Sequence, residues 1–410
     1  MISRDRVALS LNYKEADRIP VDFGGHRSSG ISVQAYKALR EYLGLNKSEL
    51  FIYDVIQQLA VIEDDVLDML GIDVVQLGYQ YYKKPGYWKP WALHDGTEVQ
   101  IPACVDIKKL QTGDFAIFTP AGEQMCVQKK DCLYFEQTFY PYQDSDDELF
   151  DDMEDQLKKI MWVGVEAPPG PDTLSRIGAE AKELRSKTNR AIYGIFGGNL
   201  LELGQQAMRI DNFFMELAGN PDRAHVFLDK LLALHLSKLA KYLDEVGPYI
   251  DIIGFGDDLG MQTGPQMSRL MFDEFFKPRY EKMWSLIKRK APHLKICMHS
   301  CGSIHALLPS LIEAGLDAVN PVQITCADME PNKLKNSFGG KITFWGGGCD
   351  TRWVLPNGSP KDVEENVKQN IEIFAENGGF VFQQVHNILA DVPPENIVAM
   401  FDTVKRYGGY

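Results

Sequence analysis

The sequence has 410 residues, of which 45% are hydrophobic and 24% charged, and its formal net charge at pH 7 is −14. This composition is ordinary for a globular enzyme, and the acidic balance argues against nucleic acids and anionic membranes as partners. The N-terminal residues lack an apolar core of signal-peptide length, and we find no run of 18 apolar residues, so we expect a cytoplasmic protein. The seven cysteines are irregularly spaced, which fits free thiols or metal ligands better than a disulfide framework.

The first 77 residues predict an alternation of strands and helices. RIPVDFGG (18–25) predicts a strand that ends at glycines, and DVVQL (73–77) predicts a second short strand. Between them, residues 31–44 and 54–70 have the periodicity of helices, with apolar side chains recurring on one side.

Residues 78–157 differ in character from the rest of the chain. Alternating segments broken by turn residues predict a β-rich insertion after the second strand, within a single domain that spans 1–410. The insertion begins with a cluster of aromatic residues that includes Tyr79, Tyr81 and Tyr82. These aromatics either form the core of the insertion or cover a pocket, and the sequence leaves both interpretations open.

From about residue 158 the chain alternates regularly between short apolar runs and amphipathic segments. With the two earlier strands, we predict eight strands, which begin near residues 18, 73, 191, 249, 294, 316, 342 and 380. Continuous apolar runs are typical of parallel strands buried on both faces. The pattern favours a (β/α)8 TIM barrel, with an open doubly wound sheet as the alternative. We find no G-x-G-x-x-G between a strand and a helix, which counts against dinucleotide binding.

The most informative stretch is LKICMHSCG (294–302), a predicted strand that ends in His299 and Cys301. Residues two apart on an extended chain point the same way, so this imidazole and this thiol share one face. In a barrel, the carboxyl ends of the strands form the functional rim. The pair therefore predicts two zinc ligands, and the alternative is a buried histidine beside a buried cysteine.

Two other rim residues are candidates for the third zinc ligand. Cys349 follows the glycines Gly346–Gly348 at a strand end, and His386 follows the last strand. We prefer Cys349 and keep His386 as the alternative. Three protein ligands with an open fourth position are the arrangement of a catalytic zinc site.

Further polar and aromatic residues lie at the predicted strand ends. As acid, base or orienting groups we select Glu202, Asp257 and His386, and as substrate-binding residues His26, Arg27, Phe255, Asn320 and Trp345. Adjacent side chains on a strand point to opposite faces, so one member of the pair Asp257–Asp258 faces the interior. The alternative for that carboxylate is a cap on a helix or turn.

Four stretches resemble the uroporphyrinogen decarboxylase superfamily. They are RIPVDF near the N-terminus, DDLGMQTGPQMSRLMFDEFFKPRYEKM (257–283), HSCGSIHALLPSLIEAGLDAVNPVQ (299–323) and GGFVFQQVHNILADVPPENIVAMFDTV (378–404). The resemblance covers most of the chain and is strongest from about residue 250 onward. It implies a (β/α)8 barrel, in agreement with the strand count, and it carries an expectation of a homodimer.

The resemblance implies two kinds of chemistry. One branch contains cofactor-free decarboxylases that hold a polycarboxylate with an arginine-rich N-terminal signature, of which RIPVDFGGHRSSG retains Arg27 but not the usual pair. The other contains zinc-dependent methyltransferases with an H-x-C ligand pair, matched here by His299 and Cys301. That branch works with corrinoid proteins, and this chain has no cobalamin-binding D-x-H-x-x-G motif of its own.

Our prediction from the sequence is therefore a corrinoid-dependent methyltransferase. It takes a methyl group from a small donor, most simply a methoxylated aromatic, and delivers it to the cobalamin of a separate corrinoid protein. The alternatives are a methylcorrinoid:thiol methyltransferase, a cofactor-free decarboxylase and a catalytically silent barrel.

Overall fold

The computed structural model describes residues 1–46, 48–78, 84–119, 121–145, 148–161 and 173–410. The strands are β1 (Ile52–Asp54), β2 (Leu59–Ala60), β3 (Val74–Gln76), β4 (Trp88–Ala92), β5 (Glu98–Pro102), β6 (Asp106–Lys109), β7 (Phe115–Phe118), β8 (Gln124–Gln128), β9 (Glu136–Gln137), β10 (Ala191–Gly197), β11 (Ile252–Gly256), β12 (Lys295–His299), β13 (Ala318–Asn320), β14 (Thr343–Trp345) and β15 (Phe380–Val381).

The helices alternate with these strands in the second half of the chain. They are α1 (Ser3–Ser10), α2 (Val33–Tyr42), α3 (Asp64–Leu70), α4 (Met153–Leu157), α5 (Thr173–Lys187), α6 (Leu201–Met208), α7 (Ile210–Gly219), α8 (Pro221–Glu245), α9 (Arg269–Phe275), α10 (Lys277–Lys290), α11 (Leu308–Ala314), α12 (Pro331–Phe338), α13 (Val354–Asn357), α14 (Pro360–Phe374) and α15 (Pro394–Tyr407). Within the described ranges, no helix combines the length and the apolar character that crossing a bilayer requires.

A curled parallel sheet of seven strands organises the chain. Its order is β15-β14-β13-β12-β11-β10-β3, and every neighbouring pair is parallel. Seven of the eight predicted strands are thereby confirmed, and helices separate them as expected for parallel connections.

The remaining predicted strand, residues 18–25, forms a short extended segment instead. The backbone N–H of Asp22 and the carbonyl of Pro20 bond to Phe382 beyond β15, each at 2.8 Å. On the other side, the N–H of Asp73 donates to the carbonyl of Val21 at 2.8 Å. The segment thus contacts both edges of the sheet, but Gly24 turns the chain at φ +84° and ends the extended run.

The two faces of the sheet are both buried but differ in what they contact. Side chains such as Phe255, Met298 and Phe344 belong to the large core shared with the helices. The alternate positions form a second apolar cluster on the inner face, with one to two residues from each strand: Val74, Ala191, Tyr193, Ile252, Cys297, Ala318, Trp345 and Val381. Val7 of α1 joins this inner cluster, so α1 covers the amino-terminal end of the inner face.

Between β3 and α5 the described residues form two antiparallel sheets. β4 pairs with β5, and β6-β7-β8-β9 form a four-stranded meander. The β-rich character of this segment agrees with its sequence pattern, whereas its status as an insertion into a barrel stays a prediction. Tyr79, Tyr81 and Tyr82 of the predicted aromatic cluster lie outside the described residues.

The helix predicted over 54–70 is wrong for its first half. Residues 52–60 form the short antiparallel pair β1–β2, and the helix begins only at Asp64. Asp54 accepts a hydrogen bond from the backbone N–H of Gln57 at 3.0 Å, and Gln58 adopts a left-handed conformation with φ +57°. The turn still buries Val55 and Ile56, which is why the apolar periodicity resembled that of a helix.

Candidate metal centre

The site begins at the carboxyl end of β12. His299 follows Cys297 by two residues, so its side chain lies on the inner face of the sheet, just beyond the apolar cluster. Its Nε2 lies 3.4 Å from the Sγ of Cys301. Two ligands of a tetrahedral zinc ion, at Zn–N and Zn–S distances of about 2.0 and 2.3 Å, lie about 3.5 Å apart, so this spacing fits metal ligation.

Two glycines hold the loop that carries Cys301. Gly302 has a φ of +85°, and a Cβ at this position would lie 2.3 Å from the backbone carbon of Gly260. The loops that follow β11 and β12 therefore cross in direct backbone contact, with the N–H of Gly260 donating to the carbonyl of Cys301 at 3.1 Å. This crossing brings the residues after β11 against the thiol.

His386, which follows β15, completes a cluster of three possible ligands. Donor atoms of His299, Cys301 and His386 all lie within 4.8 Å of one another. The sequence interpretation preferred Cys349 and kept His386 as the alternative, and the structure brings His386 to the pair. Cys349 is fully buried in the large hydrophobic core, where its Sγ lies 3.9 Å from the carbonyl oxygen of Asp350 and burial raises the pKa of its thiol.

The ring of His299 is oriented by Asn320, which was predicted to bind substrate. The amide nitrogen of Asn320 donates to the carbonyl oxygen of Trp345 at 3.1 Å, so its Oδ1 faces His299 Nδ1 at 2.7 Å. An amide oxygen only accepts, so Nδ1 carries the proton and Nε2 presents a lone pair. Asn320 is 1% exposed and therefore supports a ligand from beneath the site.

His386 has an equivalent neighbour. Its Nδ1 lies 2.6 Å from Oδ1 of Asn387, which leaves Nε2 as the nitrogen for a metal. Burial, followed by the proximity of His299, lowers the pKa of His386 to about 4. At neutral pH this side chain is an uncharged imidazole, which is the form that ligates metals.

Two acidic residues act electrostatically on the thiol of Cys301. Asp258 Oδ1 accepts the backbone N–H of Cys301 at 2.8 Å and lies 3.6 Å from His299 Nε2. Glu202, at the start of α6, accepts a hydrogen bond from Asn199 at 2.5 Å. Burial, then Asp258 and Asp257, raises the pKa of Glu202 well above its ordinary value.

The charges of this cluster fit a cation. Burial raises the pKa of Cys301 well above its ordinary value, and the carboxylates of Asp258 and Glu202 raise it further. A divalent cation at the three donors would lower the pKa of this thiol, because it stabilises the thiolate and offsets the neighbouring negative charges. The donor set of two imidazoles and one thiolate is suited to zinc.

Asp257, predicted as a catalytic group, caps a helix. Its carboxylate accepts the backbone N–H groups of Leu200, Leu201 and Glu202 at 2.7, 2.8 and 2.7 Å and also the hydroxyl of Tyr280. It is 0% exposed, and burial raises its pKa to about 6. Of the adjacent pair, Asp258 is therefore the member that faces the candidate metal ligands.

His26 lies beside the cluster, and Arg27 makes an ion pair next to it. The His26 ring stacks on His299 with 5.0 Å between centroids, and its Nδ1 accepts the backbone N–H of Ser28 at 3.2 Å. Nε2 therefore carries the proton and is a potential donor to a substrate. The guanidinium of Arg27 pairs with Asp54 at 3.3 Å.

The two aromatic residues predicted to bind substrate are buried away from the cluster. Phe255 is 1% exposed and packs against Trp284 of α10, on the helix side of the sheet. Trp345 is 0% exposed within the inner apolar cluster, where its indole N–H donates to Asp22 at 2.8 Å. Both pack in the core of the fold.

The sequence interpretation assigned no role to three residues that contact the candidate site. Asp258 was placed at a strand end as one of a pair, but its orientation depends on the crossing of two loops. Asn387 was visible at a strand end beside His386. Tyr134, whose hydroxyl donates to Asn387 Oδ1 at 3.2 Å, comes from the β-rich segment and has no motif that marks it.

Comparisons with known proteins place the chain in a family. The sequence model of uroporphyrinogen decarboxylase (URO-D) matches residues 197–407, which is about half of the chain and includes all three candidate ligands. The solved structure of a methyltransferase from Methanosarcina mazei has a similar fold, with a TM-score of 0.59 over 99% of both chains at 16% sequence identity. A search of curated protein sequences gave no significant match. The chain is a member of the uroporphyrinogen decarboxylase family.

Proposed function

We propose that this protein is a zinc-dependent methyltransferase that moves a methyl group from a small methoxylated donor to the cobalamin of a partner corrinoid protein. The observation that carries the proposal is the cluster of His299, Cys301 and His386 at the carboxyl ends of parallel strands. Three such ligands leave one coordination position for a substrate atom. The similarity in fold to a methyltransferase supports a methyltransferase activity.

When bound, zinc lowers the pKa of a coordinated oxygen or thiol and stabilises the anion that remains after the methyl group leaves. In demethylation, the bond between the donor oxygen and the methyl carbon breaks. The methyl carbon forms a new bond to the acceptor, cob(I)alamin, with the electron pair of its cobalt(I). The oxygen then needs a proton. Glu202, which lies next to Asp258 and whose pKa is raised by burial, is the group that we assign to supply it.

The protein side chains also orient the donor. The Nε2–H of His26 lies on the His299 side of the cluster and is suited to bind a substrate oxygen. We propose that residues 18–25, which contact both edge strands, act as the eighth strand and close a (β/α)8 barrel around the site. Aromatic surface for a methoxylated ring comes from the imidazoles and Tyr134, since Phe255 and Trp345 are buried elsewhere.

A porphyrinogen-type decarboxylase is less well supported. A polycarboxylate substrate requires cationic partners, whereas Asp258 and Glu202, which raise the pKa of the Cys301 thiol, are acidic residues. Arg27 is already ion-paired with Asp54.

The test is a methyl-transfer assay on protein loaded with one equivalent of zinc. Donors with methoxyl groups are incubated with the protein and with cob(I)alamin, free or on a corrinoid protein, and methylcobalamin is followed by its absorbance. We expect methylcobalamin from at least one donor, and a loss of about 10³-fold or more in Cys301→Ser. Turnover of uroporphyrinogen by the metal-free protein, with no methylcobalamin from any donor, would contradict the proposal.

A further inference from the structure

We infer that Asn387 is a positioning residue that fixes His386 in its metal-binding tautomer and couples this ligand to Tyr134 of the β-rich segment. The inference rests on the proposed zinc site. It concerns how one ligand is prepared for the metal before the metal binds.

The orientation of the Asn387 amide follows from a chain of hydrogen bonds that starts at a carboxylate. Asp54 Oδ2 accepts from Gln57 Nε2 at 3.3 Å, and a carboxylate in an ion pair with Arg27 only accepts. Gln57 therefore presents its Oε1 to Asn387, whose Nδ2 donates to it at 2.9 Å. Oδ1 of Asn387 must then face His386 as an acceptor.

The same oxygen receives two donors. Nδ1 of His386 lies 2.6 Å away and the hydroxyl of Tyr134 lies 3.2 Å away. With its proton on Nδ1, the His386 ring keeps a lone pair on Nε2, directed to the cluster. Asn387 is 2% exposed, so water does not compete for these contacts.

The β-rich segment is held at this point by its backbone as well. The N–H of Phe135 donates to the carbonyl of Ile56 at 3.1 Å, in the turn that carries Gln57. Tyr134 is thereby fixed beside Asn387, on the loop between β8 and β9. His299, by contrast, is held by Asn320 from within the parallel sheet. The two histidines thus have similar amide partners, but within the part of the chain that the structure describes only the partner of His386 bonds to the β-rich segment.

The first test is the tautomer of His386 in the metal-free protein, measured by ¹⁵N–¹H correlation spectra of protein labelled in histidine and assigned with His386→Gln. We expect a proton on Nδ1 in the wild type and a shift toward Nε2–H in Asn387→Ala. Asn387→Asp keeps an acceptor oxygen and should retain the wild-type tautomer. A wild-type His386 that carries its proton on Nε2 would overturn the inference.

The second test is zinc affinity, measured by competition with a chromophoric chelator. We expect Asn387→Ala to bind zinc about 10- to 100-fold more weakly, and Tyr134→Phe about 2- to 10-fold more weakly. Cobalt(II) substitution should show altered ligand-field bands in Asn387→Ala. Matched controls are Asn396→Ala, which removes a 1% exposed amide with two hydrogen bonds at α15, and Tyr142→Phe, which removes a hydroxyl bonded to Asp152.

The outcomes separate this inference from the proposed function. A wild-type protein with the predicted tautomer but without zinc affinity would reject the proposed function. Zinc affinity in Asn387→Ala equal to that of the wild type would reject the positioning role alone. A loss in Asn387→Ala with no change in Tyr134→Phe would reject the coupling to the β-rich segment.

Discussion

The inner face of the sheet has two halves that differ sharply, although the same strands build both. The lower half is the apolar cluster, and the upper half, at the carboxyl ends of the strands, holds His299, Cys301 and His386. On β12, Cys297 lies in the apolar cluster and His299, two residues further on, lies in the polar site. Burial raises the pKa of Cys297 to about 12, and the thiol packs in that cluster. Position along a strand, more than the type of residue, therefore separates a core cysteine from a candidate ligand.

The two halves also differ in the surroundings of their buried polar groups. In the lower half, the buried carboxylate of Asp22 accepts hydrogen bonds from Trp345 and from the backbone of Gly25 at 2.7 Å. In the upper half, burial raises the pKa of Glu202 and of Cys301 and lowers that of His386. Burial in the upper half therefore favours the neutral forms of Glu202, Cys301 and His386, and a bound cation would favour the thiolate and the carboxylate instead.

The largest expected effect on stability lies in the lower half. Trp345→Ala should lower the free energy of unfolding by about 3–5 kcal/mol, because it leaves a cavity and removes the indole N–H that donates to Asp22. Urea denaturation followed by circular dichroism measures this loss. Trp353→Ala, at a position that is 62% exposed, is the matched control and should change stability by less than about 0.5 kcal/mol. Equal losses in both variants would contradict the assignment of Trp345 to the core.

Substitution of the adjacent residues Asp257 and Asp258 should distinguish a carboxylate that stabilises the fold from one that lies at the candidate metal centre. Asp257→Ala removes the acceptor of three backbone N–H groups at α6 and should cost about 2–4 kcal/mol of unfolding free energy. Asp258→Ala should cost less than about 1 kcal/mol, since this residue is partly exposed and makes one such bond. Thermal and urea unfolding of both variants give the comparison. A larger loss in Asp258→Ala would reverse the two roles.

The smallest expected effect concerns pH. His235 of α8 donates to the carbonyl of Asn199 at 2.9 Å, and burial lowers its pKa from 6.5 to about 4. The unfolded state binds a proton more readily, so this group contributes stability above pH 6.5 that is lost as the pH falls toward 4. When the pH falls from 7.5 to 5.5, which stays above the sequence pI of 5.1, the free energy of unfolding of the wild type should decrease by about 1 kcal/mol more than that of His235→Gln. Parallel pH profiles for the two proteins would contradict this assignment.

The sequence was sufficient for features that depend on local periodicity. The continuous apolar runs of β10 to β15 are typical of buried parallel strands, and the spacing of two residues between His299 and Cys301 predicts that their side chains point the same way. Other features depend on contacts between distant segments. The turn at Asp54–Gln57 buries the same residues as the predicted helix, and the loop crossing at Gly260 and Gly302 selects Asp258 over Asp257.

The choice of a third candidate ligand also depends on contacts between distant segments. Cys349 and His386 both follow strands of the parallel sheet, and their residue types suit zinc equally well. Their chemistry does not decide between them, because the choice depends on where each loop turns after its strand. Cys349 lies in the hydrophobic core, while a ring nitrogen of His386 lies within 4.8 Å of the donor atoms of the other two candidate ligands.

The central claim is that His299, Cys301 and His386 form one metal centre, and the most direct test is the zinc content of the purified protein without an affinity tag. Mass spectrometry of the metal should give about one zinc per chain in the wild type and in Cys349→Ser. Cys301→Ser and His386→Ala should lose most of it. Stoichiometric zinc that survives both of the latter substitutions, or that is lost in Cys349→Ser, would contradict the account.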